Sequence, residues 1–360
     1  MIIKDLQVNR RKIPLFMPFK TALRTATEIE SIDVTLTLEN GIIGRGAAAP
    51  TFVITGDSSE SIEAALMGPI KDVLIGSDIG HFQTALQGIQ SCCVGNPSAK
   101  AAADIALHDA YCKLLNVPLH AFLGDKKSLQ TCMTIGVDTP EKMADDAKRN
   151  IDLGFKVLKV KVGANPSLDI DRIEAIRDVV PKAVKLRLDA NQGWAPKQAV
   201  QLINDMEKKG LGIEFIEQPV ASHDLEGLKF VTERVGIPVM ADESLFSAKD
   251  TLKLVSGRYV DLLNIKLMKC GGISNAWKIA SIAETNGVAC MIGSMMEPAL
   301  SVAAAAHFAA AHPNVKYFDL DAPLWLSEEP EELSYVSEKV ILSDLPGIGS
   351  VNAVPNTVKG

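Results

Sequence analysis

The chain has 360 residues, 47% of them hydrophobic but only 5% aromatic, and carries a formal net charge of -7. This length fits an α/β barrel of roughly 200 to 250 residues plus a second unit, and the aliphatic composition argues against disorder. The acidic balance leaves no basic footprint for nucleic acid or an anionic membrane, so the expected partner is a small molecule.

The N-terminal "MIIKDLQVNRRKIPLF" alternates charges with short apolar pieces, and no later stretch reaches the roughly 18 apolar residues of a membrane span. A cytoplasmic location is expected. Residues 1 to about 50 read as strands: "DLQVN", then "SIDVTLTLENGIIGRGAAA", in which Asn40-Gly41 signals a type I′ hairpin. From Ser58 to about Leu123 the pattern is helical, clearest in "NPSAKAAADIALHDAYCKLL". The six cysteines show no paired C-x-x-C spacing and read as small buried thiols.

From Leu129 onward, short apolar strands alternate with amphipathic helices: "TCMTIGV", "KVLKVKV", "VKLRLDAN", "IEFIEQP", "IPVMADES", "DLLNIKL", "ACMIGS" and "VKYFDLD". Eight strands separated by helices favour parallel βαβ units closed into a barrel. Polar residues recur near the strand ends at 161, 189, 217, 242 and 266, at intervals of 28, 28, 25 and 24, close to one βα unit. The C-terminal rim of such a barrel is where its chemistry is found.

Lys159 and Lys161, two apart on one strand, share a face, which the alternation of Leu158, Val160 and Val162 turns toward the barrel axis. A K-x-K taken alone fits a solvated strand edge. Asp189, Glu217 and Asp242, however, end three consecutive strands, and three converging anions need a cation among them. Oxygen-only ligation suits Mg²⁺ and argues against zinc. Any one of these carboxylates taken alone would read as a cap for the next helix. Lys266, on the sixth strand, stands across the axis from the second strand. A lysine in a partly dry site near another cation has its pKa lowered and can serve as a base, so Lys161 and Lys266 would flank one carbon while Mg²⁺ stabilises an enediolate.

"KVKVG", "LRLDANQGW", "EQP", "ADES" and "NIKLMKCGG" occur in the order and spacing of the enolase superfamily, and the chain resembles its muconate-lactonising-enzyme-like subgroup. The resemblance implies a modified (β/α)7β TIM barrel under an α+β N-terminal capping domain that the C-terminal tail completes. The corresponding ranges are 1–124, 125–322 and 323–360. It implies one Mg²⁺ per subunit on Asp189, Glu217 and Asp242, a catalytic pair Lys161 and Lys266, Lys159 as an electrostatic helper beside the substrate carboxylate, and Asn191 and Glu243 in support. It also implies a homo-oligomer.

The last strand narrows the reaction. Asp319 and Asp321 resemble the D-x-D of dipeptide epimerases, where two carboxylates receive a free α-ammonium, although a capping or turn role fits the same pattern. "PFKTALRT" and "TFVITGD" resemble loops that close over substrate, and "IGSMME" resembles the seventh-strand loop. Thr134, Ser294 and Met296 are expected in the pocket. Arg24 matches a position that reaches an acidic second residue, which implies substrates of the L-Ala-D/L-Glu type and a place in peptidoglycan recycling. Ala47, Pro298 and Ala299 depart from the subgroup's pattern. Cycloisomerase, o-succinylbenzoate synthase and N-acylamino-acid racemase activities are the alternatives on this scaffold.

Overall fold

The computed structural model describes residues 1–351, so positions 352–360 of the expected tail lie outside the described residues. Strands β1 (Ile3–Lys20), β2 (Thr25–Leu38) and β3 (Ile43–Ala48) form an antiparallel sheet in that order. Alternation places Leu6, Val34 and Leu36 against the core. The β2–β3 turn differs from the expected type I′, because Gly41 has a positive φ of 85° and Asn40 does not. Instead, the Gly41 N–H donates to Leu38 O at 2.9 Å and the Asn40 side chain accepts from the Ile42 N–H at 3.1 Å. A side-chain acceptor at Asn40 and left-handed freedom at Gly41 give a longer loop with the same direction change.

The helical stretch is divided into α1 (Phe52–Thr55), α2 (Ser59–Ala65), α3 (Lys71–Leu74), α4 (Phe82–Ser91), α5 (Pro97–Leu114) and α6 (Leu119–Leu123). Gly68 and Pro69 break what the sequence reads as continuous helix, since the Gly68 backbone is non-helical. Alanine-rich α5 is buried along most of its length and lies directly on β3. A Cβ at Gly46 would fall 2.1 Å from Ala102 O, so only glycine permits this approach.

After β4 (Leu129–Gln130) comes the parallel sheet: β5 (Met133–Ile135), β6 (Val157–Lys161), β7 (Lys185–Asp189), β8 (Ile213–Glu217), β9 (Val239–Ala241), β10 (Leu262–Ile265), β11 (Ala289–Gly293) and β12 (Val315–Asp319), paired in chain order. These are the eight expected strands. Helices α7 (Pro140–Asp152), α8 (Asp169–Val179), α9 (Pro196–Lys208), α10 (Leu225–Thr232), α11 (Ala248–Ser256), α12 (Leu267–Cys270), α13 (Ile273–Thr285) and α14 (Ala299–Ala311) provide the crossovers. Seven of the strands lead into a crossover, and β12 leads only into a 3-10 turn at Ala322–Trp325, so the architecture is a (β/α)7β barrel. The edges β5 and β12 are tied where the Leu320 N–H donates to Thr131 Oγ1 at 2.8 Å and the Cys132 N–H to Phe318 O at 3.3 Å.

The chain then turns back. Strands β13 (Leu333–Val336) and β14 (Lys339–Leu342) form a hairpin whose second strand pairs with β4. Beyond it, the Ile348 N–H donates to Asp109 Oδ1 on α5 at 2.8 Å, and Gly347 O accepts from the Leu119 N–H at 2.7 Å. The barrel floor holds buried Arg187, its guanidinium 5.2 Å from the ring centroids of both Phe215 and Tyr317 and 2.7 Å from Glu214. Paired and stacked, this cation is stable in the interior.

Candidate active site

Pleating sets the site. On β6, Lys159 and Lys161 point inward while Leu158, Val160 and Val162 pack outward in the core, and the ammonium-bearing residues are only 2% and 6% exposed. Lys161 Nζ lies 2.6 Å from Asp189 Oδ2 on the next strand. Lys159 Nζ is shared by Asp319 Oδ2 at 2.7 Å, Glu217 Oε2 at 2.8 Å and Asp189 Oδ2 at 3.1 Å. Lys266, just past β10, donates to Asp242 Oδ2 at 2.7 Å. In an eight-stranded barrel β6 and β10 are second and sixth, hence opposite each other. Lys161 and Lys266 nevertheless line one cleft at the C-terminal rim.

Asp189, Glu217 and Asp242 come together at the ends of β7, β8 and β9, fully buried, with one oxygen of each within 4.8 Å of the others. Burial, then Asp189, push Glu217 up to about 8. Burial would raise Asp242 as well, but Lys266 and Lys269 outweigh it and hold that carboxyl far below the usual range. At Asp189, Lys161 and Lys159 overcome burial and bring it down to about 2. Glu217 Oε2 is buried without a hydrogen bond, and Lys159 is the one cation touching it among the described residues. An oxygen-only donor set of three converging, fully buried carboxylates fits a hard divalent cation such as Mg²⁺. Burial depresses the pKa of Lys266, but Asp242 outweighs burial and holds the ammonium above its ordinary value.

At the rim, Asp319 and Asp321 both face the cleft. Burial opposes ionisation of Asp319, but Lys159 outweighs it and lowers its pKa, while burial and then Asp319 push Asp321 up to about 6. Asp321 precedes the 3-10 turn yet makes no side-chain cap to it. Its Oδ2 instead accepts from the Thr134 N–H at 2.7 Å and Trp325 Nε1–H at 3.3 Å. The capping alternative for Asp321 therefore has no geometric support. Arg24 lies at the tip of the β1–β2 hairpin, where Thr21 Oγ1 accepts its N–H at 3.2 Å. The guanidinium is half-buried, lowered by desolvation, and in no ion pair among the described residues. Thr134, Ser294, Met296 and Asn191 line the same cleft, together with Phe19, Ile54 and Met295 from the hairpin, α1 and the seventh-strand loop.

Residues 3–124 match the family described as mandelate racemase / muconate lactonizing enzyme, N-terminal domain, and residues 142–351 match the enolase C-terminal domain-like family. The chain belongs to the mandelate racemase / muconate lactonizing enzyme family of the enolase superfamily. It is 47% identical over 352 residues to an L-Ala-D/L-Glu epimerase of Clostridium acetobutylicum, covering 97% of this chain and 98% of that one. The substrate-liganded L-Ala-D/L-Glu epimerase of Bacillus subtilis superposes with a TM-score of 0.96 at 46% identity, covering 98% and 100% of the two chains. The dipeptide epimerase of Enterococcus faecalis, complexed with Mg and L-Leu-L-Tyr, superposes at 0.94 with 40% identity over 98% and 100%.

In this member of the enolase superfamily the supporting positions are also adjacent to the triad. Asn191 Nδ2 donates to Glu243 Oε1 at 3.1 Å, and its main-chain N–H donates to Asp189 Oδ1 at 2.9 Å. Burial, then Asp242, push Glu243 up to about 7. Three participants escaped the sequence reading. Gln218, at a positive φ of 36°, accepts the Asp242 and Ser244 N–H groups at 2.9 and 3.2 Å and so holds the end of β9. Buried Glu297 binds the Met295 N–H at 3.1 Å and the Ser301 hydroxyl at 3.0 Å, which shapes the seventh-strand loop. Lys269, inside "NIKLMKCGG" but with no role implied there, touches Asp242. Of the three departures, Ala47 is buried in β3, Pro298 and Ala299 start α14, and none lines the cleft.

Proposed function

We propose that the chain is a Mg²⁺-dependent dipeptide epimerase, an isomerase that moves a proton at the α-carbon of the second residue, with L-Ala-D/L-Glu or a related dipeptide as substrate. The observation carrying this reading is that Lys161 and Lys266 stand on opposite strands of one cleft whose rim bears Asp319 and Asp321. Inversion at one carbon needs a proton to leave one face and return on the other, and two opposed ammonium/amine groups supply that. Asp189, Glu217 and Asp242 would hold the cation, which when bound supplies positive charge against the substrate carboxylate.

Asp321, on the cleft rim, is offered to a substrate α-ammonium, with Asp319 adding negative charge. Lys159 links that rim to the triad and balances its anions. Arg24, in no ion pair among the described residues, would take a side-chain carboxylate of the second residue. The names of the relatives in Clostridium acetobutylicum and Bacillus subtilis support that preference. A homo-oligomer and a part in peptidoglycan recycling belong to the same proposal and rest on the resemblance, and a cytoplasmic location rests on the sequence pattern alone.

The test is proton NMR of L-Ala-L-Glu in D₂O with enzyme and Mg²⁺. Loss of the glutamyl α-proton signal with growth of the L-Ala-D-Glu signals is expected, and excess chelator should abolish both. Faster racemisation of N-acylated single amino acids than of any free dipeptide, or full turnover by protein shown to be metal-free, would overturn the reading.

A further inference from the structure

Lys269 is 2% exposed and sits on α12, the single helical turn that leaves β10. The turn ends at Gly271, whose φ of 87° is left-handed, and its Gly271 N–H donates to Leu267 O at 3.0 Å. One helical turn brings residue 269 back over residue 266, so both ammonium groups reach a single carboxylate. They divide it: Lys266 Nζ binds Asp242 Oδ2 at 2.7 Å, and Lys269 Nζ binds Asp242 Oδ1. Lys269 gives its remaining protons to the Asp242 main-chain oxygen and, at 3.2 Å, to Asn264 O. Asn264 in turn donates through Nδ2 to Glu217 Oε1 at 2.7 Å.

All three Lys269 protons are therefore committed to fixed acceptors on Asp242, just past β9, and on Asn264 of β10, and unlike Lys266 it does not line the cleft. Nothing in this arrangement lets it exchange a proton with substrate. We propose that Lys269 is a positioning residue: it clamps Asp242, and through Asn264 the Glu217 carboxylate, in the orientation that receives Mg²⁺. This rests on reading Asp189, Glu217 and Asp242 as the cation's ligands.

The clamp has a consequence of unusual sign. Lys269 is itself a cation beside a cation site, so on charge alone its removal strengthens Mg²⁺ binding. If its role is to hold the ligands, removal weakens binding in spite of the lost repulsion, by the ~10- to 100-fold typical of residues that orient metal ligands.

The experiment is isothermal titration of Mg²⁺ into wild type, Lys269→Met and Lys269→Gln without substrate, alongside Asp242→Asn. Wild type is expected to bind one Mg²⁺ per chain, Asp242→Asn to bind poorly, and both Lys269 variants to bind ~10-fold or more weakly with circular dichroism unchanged. Equal or tighter Mg²⁺ binding by a folded Lys269 variant would overturn the positioning role and leave the metal assignment standing. Wild-type protein that binds no Mg²⁺ would overturn both. Failure of both Lys269 variants to fold would also overturn the proposal, because it would make Lys269 a requirement of the fold.

Discussion

At the scale of single residues, the roles proposed for Lys161 and Lys266 predict separable losses. Lys161→Ala and Lys266→Ala should each lower epimerisation by ~10²- to 10⁴-fold, the usual effect of losing a general acid or base. Each variant keeps one face served, so one should still exchange the α-proton of a single enantiomer with D₂O. Near-normal epimerisation by both would return these lysines to a purely electrostatic role. Asp321 permits a sharper test of substrate class. Replacing it with Asn keeps the Thr134 and Trp325 contacts sterically possible but removes an anion. Loss of one partner of a desolvated charge pair costs about 2 to 5 kcal/mol, or roughly 30-fold to several thousand-fold in kcat/KM for a free dipeptide. The N-acetylated dipeptide, poor with wild type, should lose little, so the ratio of the two rates is the measurement.

Elements account for what the sequence could and could not reveal. The barrel strands were legible because each is a short apolar run interrupted at its end by one inward polar residue, as at Asp189, Glu217 and Asp242. Lys269 was not legible, because its inward direction depends on a single turn of helix closed by Gly271, too short to leave a periodic trace. The Asn40-Gly41 loop misled in its type because the Asn40 side chain competes for the Ile42 N–H. Loop exits carry their own prediction. At the end of β6, Gly163 has φ +90° and a Cβ there would lie 2.4 Å from Ala190 O, while its N–H donates to Asp169 Oδ2 at 2.9 Å. Gly163→Ala should therefore cost roughly 1 to 3 kcal/mol in urea unfolding and also lower kcat, because Lys161 is two residues away. Gly41, at φ +85° with nothing within 4 Å of a Cβ, is the control. Gly41→Ala should lose some stability with kcat unchanged.

Across the whole molecule, α14 joins the barrel to the N-terminal helices and the returning tail through His307. Its Nδ1 accepts the His120 N–H at 3.1 Å and its Nε2 lies 3.1 Å from Ile348 O, a pairing only the neutral ring with its proton on Nε2 can make. Burial, then neighbouring His120, push its pKa down to about 3. The unfolded chain binds that proton near pH 6.5, so stability is fully present above that pH. It falls by up to about 1.4 kcal/mol per unit as pH drops toward 3. The Tm difference between pH 7 and pH 5 should be smaller in His307→Gln than in wild type, and an equal difference would remove His307 as its source. The hairpin tip at 21–24 has a different consequence. It brings Thr21 and Arg24 to a cleft whose lysines and triad all come from the barrel. Selection for a new diet can thus act on a few positions of one turn, leaving the barrel's lysines and carboxylates untouched.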